Sequence, residues 1–181
     1  MPKKLKTKSV FAKPPKRNNP TDAGMDIEIR GYREYLDDVD TLGSEVWFDE
    51  ENHDHQGVLI LRPKERVLAM TGVKIALPPC EDARYVYEIQ VRPRSGLALK
   101  KGISIINSPG TVDQEYRGDI GVILINTSNK NVYFKEGEKI AQLVINKVRV
   151  DEEFVIVDEF SKQTVRGEKG YGSSDFNKGL Y

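Results

Sequence analysis

Residues 107–126, NSPGTVDQEYRGDIGVILIN, join a turn-rich, charged segment to an uninterrupted apolar run. Ser-Pro-Gly at 108–110 favours a turn, and the β-branched pair at 111–112 favours extended backbone. The apolar run at 122–125 has the composition of a buried strand. We interpret the whole stretch as a β-hairpin with Asp113 near its tip.

Such a hairpin holds Asp113 and Tyr116 beside exposed backbone amides and carbonyls. These groups can read the polar edge of a flat ligand, and a carboxylate among them is a potential general base. The alternative is an ordinary surface hairpin in which Asp113 and Arg117 are solvated.

The rest of the chain predicts further short strands separated by Pro and Gly. In residues 84–91, apolar residues at 85, 87, 89 and 91 alternate with more polar ones, which is the period of a strand with one apolar face. No long amphipathic helical pattern occurs. The sequence therefore predicts an all-β fold, a jelly-roll-like antiparallel barrel or sandwich. The predicted strands are 7–12, 25–29, 58–62, 66–70, 72–77, 85–91, 103–106, 121–126, 132–134, 140–150 and 154–157.

One short helix is predicted at residues 95–101, directly after Arg94 and ending before Gly102. Arg94, the Ser95 hydroxyl and the amides around Gly96 would meet at its start, where phosphate oxygens could bind. The alternative is a connector helix with Ser95 as its N-cap and Arg94 as a surface charge.

Length and composition limit the classes of function. The 181 residues suit one domain with a real core, and equal numbers of acidic and basic residues, 28 each, give no general attraction for duplex DNA or anionic membranes. Cys80, His53 and His55 cannot supply a typical Cys/His zinc set, which argues against a zinc-dependent deaminase. With no membrane-length apolar run or apolar signal core, we expect a soluble, cytoplasmic protein.

Two acidic features lie in the first third of the chain. Asp26 falls on the polar face of the predicted strand 25–29, where a solvated carboxylate is the plain alternative to a functional one. Residues 32–57 are rich in Asp and Glu, and we interpret them as an inserted loop or hairpin. Their spacing does not match a calcium-binding EF-hand loop. A solvated loop is the default interpretation, and a partner-binding surface anchored by Trp47 is the alternative.

The C-terminal residues 161–181 are rich in Gly and Ser and cannot pack a core. We predict domain boundaries of 1–160 for one β domain and 161–181 for a flexible tail. Arg166 suits a bidentate grip on phosphate, and Tyr171 could stack on a base. The tail would then close over an anionic aromatic ligand.

Taken together, five segments resemble, in identity and order, the five motifs of the trimeric dUTPase family. They are residues 23–27 (AGMDI), 94–98 (RSGLA), 110–113 with 116–118 (GTVD and YRG), 137–143 (GEKIAQL) and 166–174 (RGEKGYGSS).

This resemblance implies a homotrimer with sites between subunits and Mg²⁺-assisted hydrolysis of dUTP to dUMP and pyrophosphate. Asp113 would activate the water that attacks the α-phosphorus, and Tyr116 would exclude a ribose 2′-hydroxyl. Asp26 would lie near the Mg²⁺-bound waters. The other substrate-binding residues implied are Asn107, Thr111, Val112 and Gly121 at uracil, Arg94, Ser95, Gly96 and Gln142 at the phosphates, and Arg166, Tyr171, Gly172 and Ser173 in the tail.

The chain departs from the family pattern in three places. Lys169 and Asp175 stand where the tail commonly has glycine, and Tyr171 replaces the usual Phe. The segment 32–57 lengthens the connection between the first two motifs, which suggests a phage or other lineage-specific enzyme. Two other functions stay open, a dCTP deaminase-related enzyme and a nucleotide-gated regulatory protein that binds a partner through 32–57.

Overall fold

The computed structural model describes residues 6–9, 13–36, 40–48, 57–160, 164–165 and 167. Within them the chain forms fourteen strands and one helix. The strands are β1 (Lys6–Ser9), β2 (Met25–Glu28), β3 (Gly31–Leu36), β4 (Thr41–Leu42), β5 (Val46–Trp47), β6 (Val58–Leu61), β7 (Arg66–Met70), β8 (Val73–Ala76), β9 (Tyr85–Pro93), β10 (Ile103–Ile105), β11 (Gly110–Val112), β12 (Val122–Asn126), β13 (Val132–Lys135) and β14 (Lys139–Arg149), and the helix is α1 (Ser95–Lys101).

All strand pairs are antiparallel, which confirms the predicted all-β, jelly-roll-like class. One sheet has the order β10-β12-β7-β3-β4, with β5 also paired to β3. A second sheet has the order β11-β9-β14-β2, and β1-β8 and β13-β6 form two-stranded sheets. Alternate residues of each long strand face one apolar core. Its largest fully buried side chains include Phe134, Ile27, Ile29, Leu59, Leu61, Ile89, Ile103, Leu124 and Leu143.

The predicted hairpin at 107–126 is wrong. β11 pairs with β9, whereas β12 pairs with β7 and β10, so residues 113–121 cross from one sheet to the other. The crossing is fixed because Ile120 is buried and its N–H donates to the Val73 carbonyl at 2.9 Å. Burial of both flanking strands in different sheets stabilises the core more than an isolated two-stranded ribbon could.

The short helix agrees with its prediction in length and end. Gly102 adopts φ 66° at the C-cap, a left-handed conformation that glycine accepts readily. Arg94, rather than Ser95, occupies the N-cap position, and it makes no side-chain capping hydrogen bond. The Arg94 side chain is therefore available for other contacts.

The predicted strand at 154–157 is also wrong. Its backbone is irregular, and the side chains of Phe154 and Ile156 are fully exposed. A β-branched run becomes a strand only when a neighbouring strand completes its hydrogen bonds. Contacts divide the chain into two units at Asp151 and Glu152, and 154–157 belongs to the second.

The acidic segment contains the predicted hairpin, since β3 pairs with β4. Yet β3 also pairs with β7 in the large sheet, and Phe48 is buried with its ring centroid 5.9 Å from that of Tyr32. Residues 37–39 and 49–56, which hold many of the acids, lie outside the described residues. The described part of the segment is thus integral to the fold, beyond a simple surface loop.

Among the described residues, no helix is long and apolar enough to cross a membrane. In the same part of the chain, no group of three or more His, Cys, Asp or Glu side chains is arranged to hold a metal ion.

Candidate functional site

The Asp26 carboxylate lies between two cations at the edge of the second sheet. Its Oδ1 atom is 3.0 Å from Arg94 Nε, and its Oδ2 atom is 2.9 Å from Lys139 Nζ. Asn18 Nδ2 donates a further hydrogen bond to Oδ2 at 3.1 Å. Asp26 is therefore a partly buried counter-ion, which differs from the plain reading of a solvated strand carboxylate.

These contacts lower the pKa of Asp26. Burial raises it, but the hydrogen bond from Lys139 and the positive charge of Arg94 outweigh burial, so the pKa lies below its ordinary value. The carboxylate is ionised at neutral pH and holds both cations in place.

Strand pairing brings Gln142 next to this ion-pair cluster. Gln142 on β14 lies opposite Asp26 on β2 and Arg92 on β9. Its Nε2 donates to the Pro93 carbonyl at 2.9 Å. A Cβ at Gly24 would lie 2.3 Å from Gln142 Oε1, so a larger residue there would displace the Gln142 amide from this position.

An open cavity of about 300 Å³ lies over this cluster. That volume is at the small end of the range for ligand sites. Ser95 and Gly96 are exposed at its rim. The residues that line it are Asp26, Arg94, Ser95, Gly96, Leu97, Lys100 and Gln142. All but Leu97 and Lys100 were predicted as site residues, and the structure brings them together. We call the seven residues the phosphate half, after the group that they are predicted to bind.

Sequence reasoning missed three polar residues here. Lys139 and Asn18 bind each other as well as Asp26, with Lys139 Nζ 3.0 Å from Asn18 Oδ1. Lys100 follows the second motif in sequence and lines the cavity. The position of Lys139 inside the fourth motif was a usable signal, whereas nothing around Asn18 distinguished it from a loop residue.

The other predicted residues lie around the crossing 113–121. Asp113 directly follows β11 and is exposed, and its carboxylate accepts no hydrogen bond from the part of the chain that the structure describes. The Tyr116 N–H donates to the Asp113 carbonyl at 3.1 Å, so the two residues share one turn. Gln114 Oε1 accepts from the Tyr87 N–H at 2.9 Å and ties that turn to β9.

Two features hold the Tyr116 side chain in place: a hydrogen bond from its hydroxyl and close packing against Gly118, which has no side chain. Its Oη donates to the Asp119 carbonyl at 2.9 Å. A Cβ on Gly118 would lie 2.2 Å from that hydroxyl oxygen, so the ring lies directly against glycine backbone. Tyr116 is nevertheless 47% exposed, so solvent reaches part of the residue.

The residues predicted to contact uracil surround the same crossing. Thr111 is exposed opposite Gln90, and the half-buried Val112 lies opposite Ile89. Asn107 is exposed beside Gly110, and Gly121 packs near Leu68 just before β12. We call the set Asn107, Thr111, Val112, Asp113, Tyr116 and Gly121 the nucleoside half.

Within one chain the two halves are separated along β9. Val112 lies opposite Ile89, whereas Arg94 follows the last residue of β9, which places them five residues apart. At about 3.3 Å per residue the offset is roughly 16 Å. Arg166, Tyr171, Gly172 and Ser173 lie outside the described residues, as do Lys169 and Asp175.

Comparison with known proteins gives a consistent result. The dUTPase family model matches residues 56–175. A relative in Hydrogenobaculum sp. (strain Y04AAS1), deoxyuridine 5'-triphosphate nucleotidohydrolase, is 52% identical over 117 residues, which are 65% of this chain and 76% of the relative.

Two solved structures of the Staphylococcus bacteriophage 80alpha dUTPase are also similar. One is a point mutant with dUpNHpp, with a TM-score of 0.68 and 26% identity, covering 94% of this chain and 98% of that one. The other, a second mutant with dUpNHpp, has a TM-score of 0.65 at the same identity and coverage; it is described with the statement that phage dUTPases control transfer of virulence genes by a proto-oncogenic G protein-like mechanism. The family match over 56–175 covers most of the chain and contains both halves of the site except Asp26, so the protein belongs to the dUTPase family.

Proposed function

We propose that this dUTPase-family enzyme hydrolyses dUTP to dUMP and pyrophosphate by in-line attack of water on the α-phosphorus, with Asp113 as the general base. The observation that carries the assignment is the contrast among three carboxylates. Both carboxylate oxygens of Asp26 contact cations, and the half-buried Asp119 carboxylate accepts a hydrogen bond from Thr71. Asp113, in contrast, is exposed and accepts no hydrogen bond from the described residues. Of these three carboxylates, Asp113 alone can therefore orient a water without giving up a partner among the described residues.

Asp113→Asn is the direct test, because it keeps the shape of the side chain and removes the base. We expect pyrophosphate release from dUTP to fall by about 10²- to 10⁴-fold. The thermal midpoint of unfolding should stay near that of the wild type, since Asp113 is exposed. Wild-type turnover in this variant would refute the base assignment. Asp158→Asn, which changes an exposed carboxylate outside the predicted site residues, is the control.

The two halves of the site have complementary chemistry. The phosphate half supplies the guanidinium of Arg94 and the ammonium group of Lys100, and Lys139 lies beside it; these charges would offset that of a triphosphate. The nucleoside half supplies Tyr116 and backbone polar groups, which would exclude a 2′-hydroxyl and a 5-methyl group. Rates of pyrophosphate release from dUTP, UTP, dTTP and dCTP would test both selections.

Members of the family use a divalent metal, and we propose Mg²⁺ for this protein. Mg²⁺ sites at nucleotides take one or two carboxylates plus phosphate oxygens and waters. Asp26 fits this pattern only through water, since both its oxygens already contact cations. When bound, Mg²⁺ would neutralise charge on the phosphate chain.

We further propose that the working site combines halves from different copies in a homotrimer. The base must lie within one water of the phosphorus that the phosphate half positions, yet in one chain Val112, next to Asp113, lies roughly 16 Å along β9 from Arg94. The exposed apolar side chains Phe154, Ile156 and Phe160 also favour association, since each would gain about 1.5–3 kcal/mol on burial.

Complementation tests this arrangement. Arg94→Ala and Asp113→Asn each remove one half, so mixed assemblies would contain sites in which both halves are intact. We expect two inactive variants to regain dUTP hydrolysis after mixing and exchange. Mixed trimers of the 20.5 kDa chain seen by native mass spectrometry without regained activity would contradict a shared site.

We also propose that the tail 161–181 contacts the substrate. Arg166 would contact the γ-phosphate, and Tyr171 with Gly172 and Ser173 would cover the nucleoside. Removing 161–181 should reduce kcat/KM for dUTP, while Lys169→Gly and Asp175→Gly should show whether these departures weaken tail closure. Unchanged kcat/KM after removal would overturn the tail assignment.

A second candidate function is nucleotide-gated binding of a protein partner through the segment 32–57. Trp47 and Leu36 are 40% and 41% exposed there, and Trp47 Nε1 donates to Glu45 Oε2 at 3.1 Å. The 80alpha dUTPase, described with a G protein-like control mechanism, gives precedent for such a role in a similar protein.

Point substitution is the suitable test, because deleting 32–57 would remove β3 from the large sheet. Trp47→Ala should leave dUTP turnover unchanged and abolish nucleotide-dependent capture of a partner. Identical, nucleotide-independent capture by wild type and Trp47→Ala would refute this role.

A further inference from the structure

Thr71 connects β7 to β8 outside all five motifs, and its side chain is fully buried. Its Oγ1 donates to the Ile120 carbonyl at 2.7 Å and accepts from the Val73 N–H at 3.2 Å. Ile120 in turn donates its N–H to the Val73 carbonyl at 2.9 Å. The turn at Thr71 therefore hydrogen-bonds both main-chain polar groups of Ile120: Thr71 binds its carbonyl and Val73 binds its N–H.

These hydrogen bonds lie at one end of the crossing 113–121, which carries Tyr116. Asp119, the residue before Ile120, has its carboxylate 3.4 Å from the Thr71 N–H, and its carbonyl accepts the Tyr116 hydroxyl at 2.9 Å. Buried hydroxyls contribute most where the alternative is an unpaired carbonyl. Without the Thr71 hydroxyl, the Ile120 carbonyl would lose its donor. Ile120 is two residues after Gly118, against which the Tyr116 ring packs.

We propose that Thr71 is a positioning residue for Tyr116 and so a determinant of selectivity for deoxyribose. It touches no substrate. By fixing Ile120 and Asp119, Thr71 sets the position of the Asp119 carbonyl, which accepts the Tyr116 hydroxyl. The position of the Tyr116 ring then determines the space left beside the sugar. The inference rests on the proposed role of Tyr116 as the group that excludes a 2′-hydroxyl.

The test compares Thr71→Val, which keeps the shape but lacks the hydroxyl, with Thr71→Ser, which keeps the hydroxyl. The readout is the ratio of kcat/KM for dUTP to kcat/KM for UTP, because partial unfolding scales both values equally and cancels. Thr71→Val should lower this ratio about 10-fold or more, within the range for discrimination by one polar group. Thr71→Ser should keep the ratio within about 3-fold of wild type by the same measure.

Two controls separate the outcomes. Val132→Ala removes buried apolar volume on β13, away from the crossing, and should lower the thermal midpoint without changing the ratio. Tyr116→Ala tests the proposed function itself. If Tyr116→Ala leaves the ratio unchanged, the proposed role of Tyr116 in excluding a 2′-hydroxyl fails, and this inference fails with it. If Tyr116→Ala lowers the ratio while Thr71→Val does not, only this inference is overturned.

Discussion

Arg94 and Asp26, 68 positions apart in sequence, are joined by a 3.0 Å contact between Nε and Oδ1. Arg94 also donates from Nη1 to the Lys139 carbonyl at 3.0 Å. Its guanidinium is thus held in one orientation by two groups from the sheet. Pre-orientation of this kind reduces the entropy lost when a phosphate binds.

Arg94→Lys should therefore impair the enzyme although it keeps the charge. Lysine is a point donor and cannot contact both Asp26 and the Lys139 carbonyl with fixed geometry. We expect kcat/KM for dUTP to fall by about 10-fold or more, the effect of losing one charged hydrogen bond. Arg92→Lys, a matched change on β9 that contacts Gln90, should have less effect. Equal kinetics for wild type and Arg94→Lys would contradict pre-orientation.

Asp26 should also make stability depend on pH. Its pKa is lowered in the fold, so ionised Asp26 stabilises the protein above its unfolded value of about 3.8, and this contribution is lost as pH falls through the lower folded value. Asp26→Asn should reduce the free energy of unfolding by about 1–3 kcal/mol at pH 7.

Urea denaturation at pH 7 and at pH 3 measures this difference. The gap between wild type and Asp26→Asn should narrow at pH 3. Asp82→Asn, which removes an exposed ion pair with Arg84, is the control and should leave the free energy of unfolding near that of the wild type at both pH values. A gap that is equal at both pH values would show that the ion pairs do not stabilise the fold.

Local sequence patterns predicted most of the strands and the helix, because each depends on short-range periodicity and turn chemistry. Alternation in 85–91, for example, predicted β9, whose Ile89 and Val91 are buried. The partners of those strands were not predictable in the same way. The apolar run 122–125 fits a hairpin as well as a sheet, and burial of Ile120 between sheets decides the outcome.

Motif order likewise predicted that Asp26, Arg94 and Gln142 belong to one site, and the structure brings these three residues together. It could not place Asn18 or Thr71, whose roles arise from loops that approach one another only in the folded chain. Nor could it show that Val112, next to Asp113, lies roughly 16 Å along β9 from Arg94 within one chain. That offset follows from register, which side-chain patterns in separate strands leave undetermined.

Gly118→Ala should weaken selection against ribose. The new Cβ would lie 2.2 Å from the Tyr116 hydroxyl oxygen, so the ring must swing away and lose its bond to the Asp119 carbonyl. We expect the ratio of kcat/KM for dUTP to that for UTP to fall about 10-fold. Gly43→Ala is the control, since a Cβ there meets only ordinary contacts at 3.5 Å or more. An unchanged ratio would mean that the ring position in this structure does not determine selectivity.

Asn126 should be the most sensitive polar residue for stability. It is fully buried, and its Nδ2 donates to the carbonyls of Leu61 at 2.9 Å and Lys130 at 2.7 Å, while its Oδ1 accepts from the backbone and hydroxyl of Ser128.

Asn126→Ala would remove the Nδ2 donor to the Leu61 and Lys130 carbonyls and the acceptor of the Ser128 N–H. Each buried group left unpaired costs about 1–3 kcal/mol. We expect the free energy of unfolding, measured in urea, to fall by about 2–4 kcal/mol with no change in the slope of the transition. Asn129→Ala changes an exposed residue of the same turn and should stay within about 0.5 kcal/mol of wild type. If both variants were equally stable, the connection from β12 to β13 would be held by apolar packing at Val132 and Phe134, and the Asn126 hydrogen bonds would contribute no net stability.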